Sequence, residues 1–138
     1  MAREAILRDT KILVSRRYIC ATSTGIAKGT YLKLSGDQTA LASTGTGDLF
    51  LGFAHADVNK STDTNFNTET SVTADKGGVY ELVASGAILL GNYVKTCSPG
   101  NYVMACSQSD MTSSMAIVIG KALEDGSNAE TINVEVFP

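Results

Sequence analysis

The second half of the chain reads as a diverged copy of the first. Gly29-Thr30-Tyr31-Leu32-Lys33 returns as Gly91-Asn92-Tyr93-Val94-Lys95, and Leu51-Gly52-Phe53-Ala54-His55-Ala56-Asp57 returns as Ile119-Gly120-Lys121-Ala122-Leu123-Glu124-Asp125. A third block, Glu69-Thr70-Ser71-Val72, is echoed by Glu130-Thr131-Ile132-Asn133-Val134. The blocks keep their order while the spacers between them differ in length. Two related strand sets that share one scaffold and vary in their loops leave this trace, so the repeat constrains architecture before it says anything about chemistry.

From Tyr18 onward, β-branched and aromatic runs alternate with clusters of Gly, Asn, Asp and Ser, and no stretch carries a convincing 3.6-residue period. The body is therefore expected to be mainly β, a small β-barrel with an internal two-fold repeat. Strands are expected at Tyr18–Ala21, Tyr31–Ser35, Phe50–Ala54, Thr70–Ala74, Gly78–Leu82, Tyr93–Cys97, Tyr102–Cys106, Ala116–Ala122 and Thr131–Phe137. Residues 57–68 and 107–114 are polar and read as exposed loops. A turn centred on Pro99 and Gly100 would set Cys97 opposite Tyr102 and Cys106 opposite Tyr93, which disfavours a bridge between the two cysteines.

With 138 residues, 43% of them hydrophobic and 18% charged, the chain can bury a core of its own and is expected to be one domain. No run of roughly 20 apolar residues is present, and the N-terminus lacks the apolar core of a secretory signal, so no membrane partner is expected. The net charge of −3 hides an asymmetry. Residues 1–17 carry Arg3, Arg8, Lys11, Arg16 and Arg17 against Glu4 and Asp9, whereas the remainder carries 6 lysines against 12 acids. A basic N-terminal arm over residues 1–17, leading into an acidic barrel over residues 18–138, could grip an acidic partner surface.

The residues that could do chemistry do not assemble into a motif. His55 is the only histidine, and the repeat places Leu123 at its counterpart, which favours a structural role over a general base paired with Asp57. The glycines of residues 45–52 lack the Gly-Lys-Ser/Thr ending of a phosphate loop and read as a turn entering a strand. Asp63-Thr64-Asn65-Phe66-Asn67 opens like a calcium loop, but Thr68 stands where that loop needs glycine and Ala74 where it needs glutamate. Cys20, Cys97 and Cys106 are too far apart for a zinc pattern or a disulfide framework. Five tyrosines could stack on single-stranded nucleic acid, yet the acidic body opposes phosphate, so core and turn positions explain them better. The chain is expected to be neither an enzyme nor a nucleic-acid binder, and to carry no metal or cofactor.

Residues 78–88, Gly91-Asn92-Tyr93-Val94, residues 117–126 and residues 130–136, taken together and in order, resemble the capsid decoration proteins of tailed phages. These are the small head-stabilising or cement proteins, including those of the lambda-like β-tulip type. The resemblance spans roughly residues 18 to 137 and rests on the ensemble, since each block is built of common residues. It implies a compact barrel made in the host cytoplasm and carried on the outer surface of the virion head. There it would bind the major capsid protein as a homotrimer at three-fold and quasi-three-fold positions and brace the shell against the pressure of packaged DNA. In such proteins an N-terminal arm often adds a strand to capsid elements. In this chain Arg3, Ile6, Leu7, Arg8, Lys11, Ile12 and Val14 match that arm by position and character, with alternate apolar side chains to bury and cations to pair. Rival readings are another virion accessory, such as a head-fibre base or tail protein, and a small glycan- or ligand-binding barrel whose mark would be a concave aromatic-lined pocket.

Overall fold

The computed structural model of the chain describes residues 5–9, 14–20, 25–58, 70–97, 101–113 and 115–138. Each copy of the repeat closes a barrel of its own. The first barrel holds β2 (Val14–Ile19), β3 (Tyr31–Gly36), β4 (Thr39–Ala42), β5 (Phe50–Ala54) and β6 (Ser71–Lys76), in the order β2-β4-β3-β5-β6. The second holds β7 (Val79–Ala84), β8 (Tyr93–Cys97), β9 (Tyr102–Ala105), β10 (Val118–Ala122) and β11 (Thr131–Val136), in the matching order β7-β9-β8-β10-β11. Both close through one parallel pairing, Ile19 beside Thr39 in the first and Val83 beside Tyr102 in the second.

The correspondence extends to single hydrogen bonds. The Gly29 amide donates to the Ala54 carbonyl at 2.8 Å, as Gly91 donates to Ala122 at 2.9 Å. Asp57 Oδ1 accepts from the Lys28 amide at 2.7 Å, and Asp125 Oδ1 accepts from Leu90 at 2.6 Å. Where the sequence suggests two strand sets on one scaffold, each set buries its apolar face against itself.

Closing five short strands demands strong coiling, and the same bulge supplies it in both copies. In β5, Leu32 of β3 faces Gly52 and Lys33 faces Phe50, so Leu51 is the extra residue. In β10, Val94 of β8 faces Gly120 and Lys95 faces Val118, so Ile119 is extra. The neighbouring strand then passes so close that a side chain cannot fit. A Cβ on Gly52, whose φ is +140°, would lie 2.6 Å from the Asp75 carbonyl, and one on Gly120 would overlap the Glu135 carbonyl. These crossings explain why the Leu-Gly and Ile-Gly pairs recur in the repeat.

Inside the first barrel sit Cys20, Ile26, Leu32, Ala40, Val72 and Ala74. Their counterparts Ala84, Ile88, Val94, Val103, Ile132 and Val134 fill the second. Side-chain alternation makes β3 and β5 serve both cores: Leu32 and Ala54 point into the first, while Tyr31 and Phe53 join the second. The junction is aromatic. Phe53 stands 4.4 Å from Tyr80 between ring centroids, 5.0 Å from Tyr31 and 5.1 Å from Phe50. The Tyr31 and Tyr80 hydroxyls are buried there with no hydrogen-bond partner among the described residues, and burial pushes both phenols well above the usual tyrosine range.

A polar clamp flanks the rings. The fully buried Thr96 donates to the Gly45 carbonyl at 3.1 Å and accepts from the Asp48 amide at 3.0 Å, tying the turn before β5 to β8. Burial alone would raise the Asp48 carboxyl, but hydrogen bonds from Gly45, Ser43 and Thr44 outweigh it and hold the group below the usual range.

Three features depart from the sequence reading. Residues 6–9 form β1 (Ile6–Asp9), which pairs antiparallel with β7 of the same chain, Ile6 beside Glu81 and Leu7 beside Tyr80. Ala5 and Leu7 pack on the second core, so the expected arm is partly stitched to the body, and the boundary drawn at residue 17 falls inside β2. β4, Thr-Ala-Leu-Ala, was not expected as a strand because its composition has little β bias; its partner strands define it. Finally, the polar stretch after β9 contains a short helix, α1 (Gln108–Ser113), and a 3-10 turn at Met115–Ile117. Ser107 and Asp110 cap α1 reciprocally: Asp110 Oδ2 accepts from the Ser107 amide and Ser107 Oγ from the Asp110 amide.

Replacing Gly52 or Gly120 by alanine is expected to cost about 1–3 kcal/mol or more, because backbone must shift to admit the methyl group. Denaturant unfolding should show the larger loss for Gly120→Ala, where the overlap is deeper.

Candidate functional site

Of the expected arm residues, the side chains of Ile6, Leu7 and Val14 are described. Ile6 is 41% exposed on β1 against the second barrel, whereas Val14, 46% exposed, begins β2 beside Lys76 of the first. Leu7 is partly buried against the core. Arg8 lies in β1 with its side chain outside the described residues, as are Arg3, Lys11 and Ile12 altogether. Most of the polar loop after Asp57, with its calcium-like run, and the Pro99-Gly100 turn also lie outside them.

His55 is held by Asp75, not by Asp57. Its Nδ1 lies 2.7 Å from Asp75 Oδ2, and because a carboxylate can only accept, the imidazole donates. Asp75, buried on the outer wall of the barrel, also accepts from Ser15 Oγ at 2.6 Å. Asp57 instead caps the turn at Lys28. Ser15 Oγ and His55 Nδ1 both donate to the one carboxylate, so the trio links β2, β6 and the residue that follows β5, and Ser15 is bonded to Asp75 and not to the imidazole. The repeat foresaw the backbone role: the His55 amide donates to Thr73 as the Leu123 amide donates to Asn133.

Beside this trio lies a cleft of about 490 Å³, with Arg17, His55, Thr70, Val72 and Thr73 on its walls. Among the described residues, no tyrosine or phenylalanine lines it. Tyr31 and Tyr80 are spent in the junction.

The two barrel ends differ sharply in polarity. Where the first barrel carries Ala27, Lys28 and His55, the second carries Leu89, Leu90 and Leu123, which are 62%, 66% and 38% exposed. Bonds from Leu90 to Asp125 and from Gly91 to Ala122 bring these leucines to one end. The sequence places Gly86 to Gly91 in a turn that matches Gly25 to Gly29, but its spacing does not reveal that Leu89 and Leu90 share an exposed end with Leu123.

On β8, Lys95 Nζ contacts Asp110 Oδ2 at 2.7 Å and anchors α1. That contact, helped by the Ser107 amide, holds the Asp110 carboxyl down at about 2. The cysteines follow the register read from sequence: Cys97 faces Tyr102, and the Cys106 amide donates to the Tyr93 carbonyl. None of the three is in a disulfide. Burial first, and Asp110 second, push the Cys106 thiol up, which makes it a poor nucleophile.

No family model and no curated protein matches the chain. Among solved structures, it is similar to the head fiber gp8.5 N base of bacteriophage phi29, with a TM-score of 0.52 at 12% identity, covering 91% of this chain and 95% of that one. The likeness is one of fold. It spans both barrels in this chain and nearly all of the neighbour.

Two outcomes test the polar groups. Asp75→Ala should cost about 2 kcal/mol in urea unfolding, since Ser15 and His55 both lose their acceptor, with Asp75→Asn costing less. Asp110 has a folded value below its ordinary 3.8, so its contribution to α1 is complete above about pH 4 and fades as pH falls through about 2. An NMR titration of the Ser107 and Asp110 amides should show that low midpoint, and Lys95→Met should raise it.

Proposed function

We propose that the chain is a structural protein of a tailed-phage virion that binds the outer surface of the mature head and stabilises it. The observation that carries this reading is the fold shared with a phage head-fiber base over nearly the whole of both chains. The decoration-protein resemblance of residues 18 to 137 points the same way. An exposed leucine tip on the second barrel supports a chain whose surface meets another protein, since such patches are uncommon on proteins that work alone.

In this reading the partner is the major capsid protein and the working unit is a homotrimer. Three weak attachments on one trimer would bind far more tightly than one, through effective concentration, and would clamp neighbouring capsid subunits against internal pressure. Ile6 and Val14 supply exposed apolar side chains from the N-terminal segment, worth about 25 cal/mol per Å² buried before ordering costs. The same fold neighbour favours a second reading, that the chain is the base of a head fibre.

Purified full chain mixed with expanded, undecorated heads of its source phage should co-sediment saturably. Ile6→Glu combined with Val14→Glu, both at exposed positions, should weaken binding at least tenfold while the unfolding curve stays close to wild type. Failure of the full chain to sediment would overturn attachment to the head. Undiminished binding by the double variant would overturn the arm's part in it. Gold-labelled chain seen by electron microscopy at three-fold and quasi-three-fold positions supports decoration, and label confined to fibre attachment points supports the fibre base.

A further inference from the structure

Because the barrels correspond strand for strand, the surroundings of β2 and β7 can be compared position by position. β7 is paired along one side by β11. Its other side is divided: Val83 and Ala84 pair with β9, and Val79 to Glu81 pair with β1. β2 is likewise paired along one side by β6, from Val14 to Ile19, but its other side meets β4 only at Ile19. Among the described residues, no strand lies beside Ser15, Arg16 and Arg17, the counterpart of the place that β1 fills.

The backbone there faces outward for a geometric reason. The Ile19 amide donates toward the β4 side, to Gln38 at 2.8 Å, and the Cys20 amide donates toward β6, to Thr70 at 2.8 Å. Alternation along a strand then turns the N–H and C=O of Ser15 and Arg17 to the same side as those of Ile19. All three residues from Ser15 to Arg17 are exposed. An edge of this kind is a template for another extended chain.

Charge tells which chain it suits. The place beside β7 presents Val79, Tyr80 and Glu81, and takes β1, whose Arg8 and Asp9 cancel. The place beside β2 presents Ser15, Arg16 and Arg17 at the same positions, with Lys76 opposite Val14 where the second barrel has the buried Val136. Burial first, and the nearby Arg16 charge second, push the Lys76 ammonium down from its ordinary value, which places Arg16 and Lys76 close together. A neutral or basic strand would leave that crowding unrelieved, whereas carboxylates would pair with it.

We propose that the outward side of β2 at Ser15–Arg17 is a docking edge for an extended acidic segment of a partner protein. The segment pairs antiparallel with β2, as β1 does with β7, and sets its carboxylates against Arg16 and Arg17.

The probes are two capped octapeptides, one alternating pairs of threonine with pairs of glutamate and one alternating pairs of threonine with pairs of lysine, so that each presents charge on both faces, and each is titrated into the isotopically labelled full chain. The glutamate peptide should shift the amides of Ser15 and Arg17 saturably and bind at least tenfold more tightly than the lysine peptide. Arg16→Glu with Arg17→Glu should reverse that preference. Arg17→Pro removes an N–H that points away from β6, so it should weaken the glutamate peptide at least tenfold with the remaining amide spectrum intact, while Arg17→Lys keeps binding. Equal affinity for both peptides, shifts that map elsewhere, or full binding by the proline variant would overturn the assignment. Concentration-dependent shifts at Ser15 and Arg17 without peptide would give the edge to a second copy of the chain and overturn it equally.

Discussion

The contact of Phe53 with Tyr80 joins two barrels that are each too small to hide their own outer faces. Five short strands enclose only a handful of side chains, so the wall residues Tyr31, Phe50 and Phe53 would stand in water if the second barrel did not receive them. Their rings meet edge to face and tilted, the arrangements aromatic quadrupoles favour. Among the described residues, two phenol hydroxyls have no partner inside this junction. The apolar area gathered there, and the Thr96 and Asp48 clamp beside it, must offset that cost.

A duplicated scaffold also separates what the fold requires from what has been free to change. Both copies keep the glycine bulge, the aspartate that caps the turn and the parallel pairing that closes the barrel. They differ where one faces the junction and the other faces solvent. Tyr80 and Val136 are buried in the second barrel, and their counterparts in the first are Arg16 and Lys76. At the opposite extreme, the leucines of the second barrel's tip replace Ala27, Lys28 and His55. Burial at the junction explains the first difference, whereas packing among the described residues does not explain the second.

Much of this was legible in residues alone. β-Branched and aromatic runs bounded by turn residues located β3, β5, β6, β7, β8 and β11 closely, and a proline-glycine turn set the register of Cys97 with Tyr102. β4 was not legible, since Thr39 to Ala42 is strand only because β3 lies along it. α1 was missed although Ser107 and Asp110 carry a recognisable cap, because six residues are too few to show a helical period. His55 has Asp75 as its partner and not the nearby Asp57, which caps the turn at Lys28. The sequence named Asp57 only for the disfavoured general-base pairing, and it is the pairing of β5 with β6 that brings Asp75 to the imidazole.

By itself the sequence determined a mainly β chain made of two related strand sets, because side-chain alternation and turn residues act locally and the repeated blocks preserve both. Only the tertiary structure decided that each set closes on itself, that β1 folds back onto β7 while the matching side of β2 carries no described strand, and that the rings of one barrel complete the core of the other. Strand pairing across long separations depends on which edges meet and which apolar faces are left to cover, and neither is written in the local pattern.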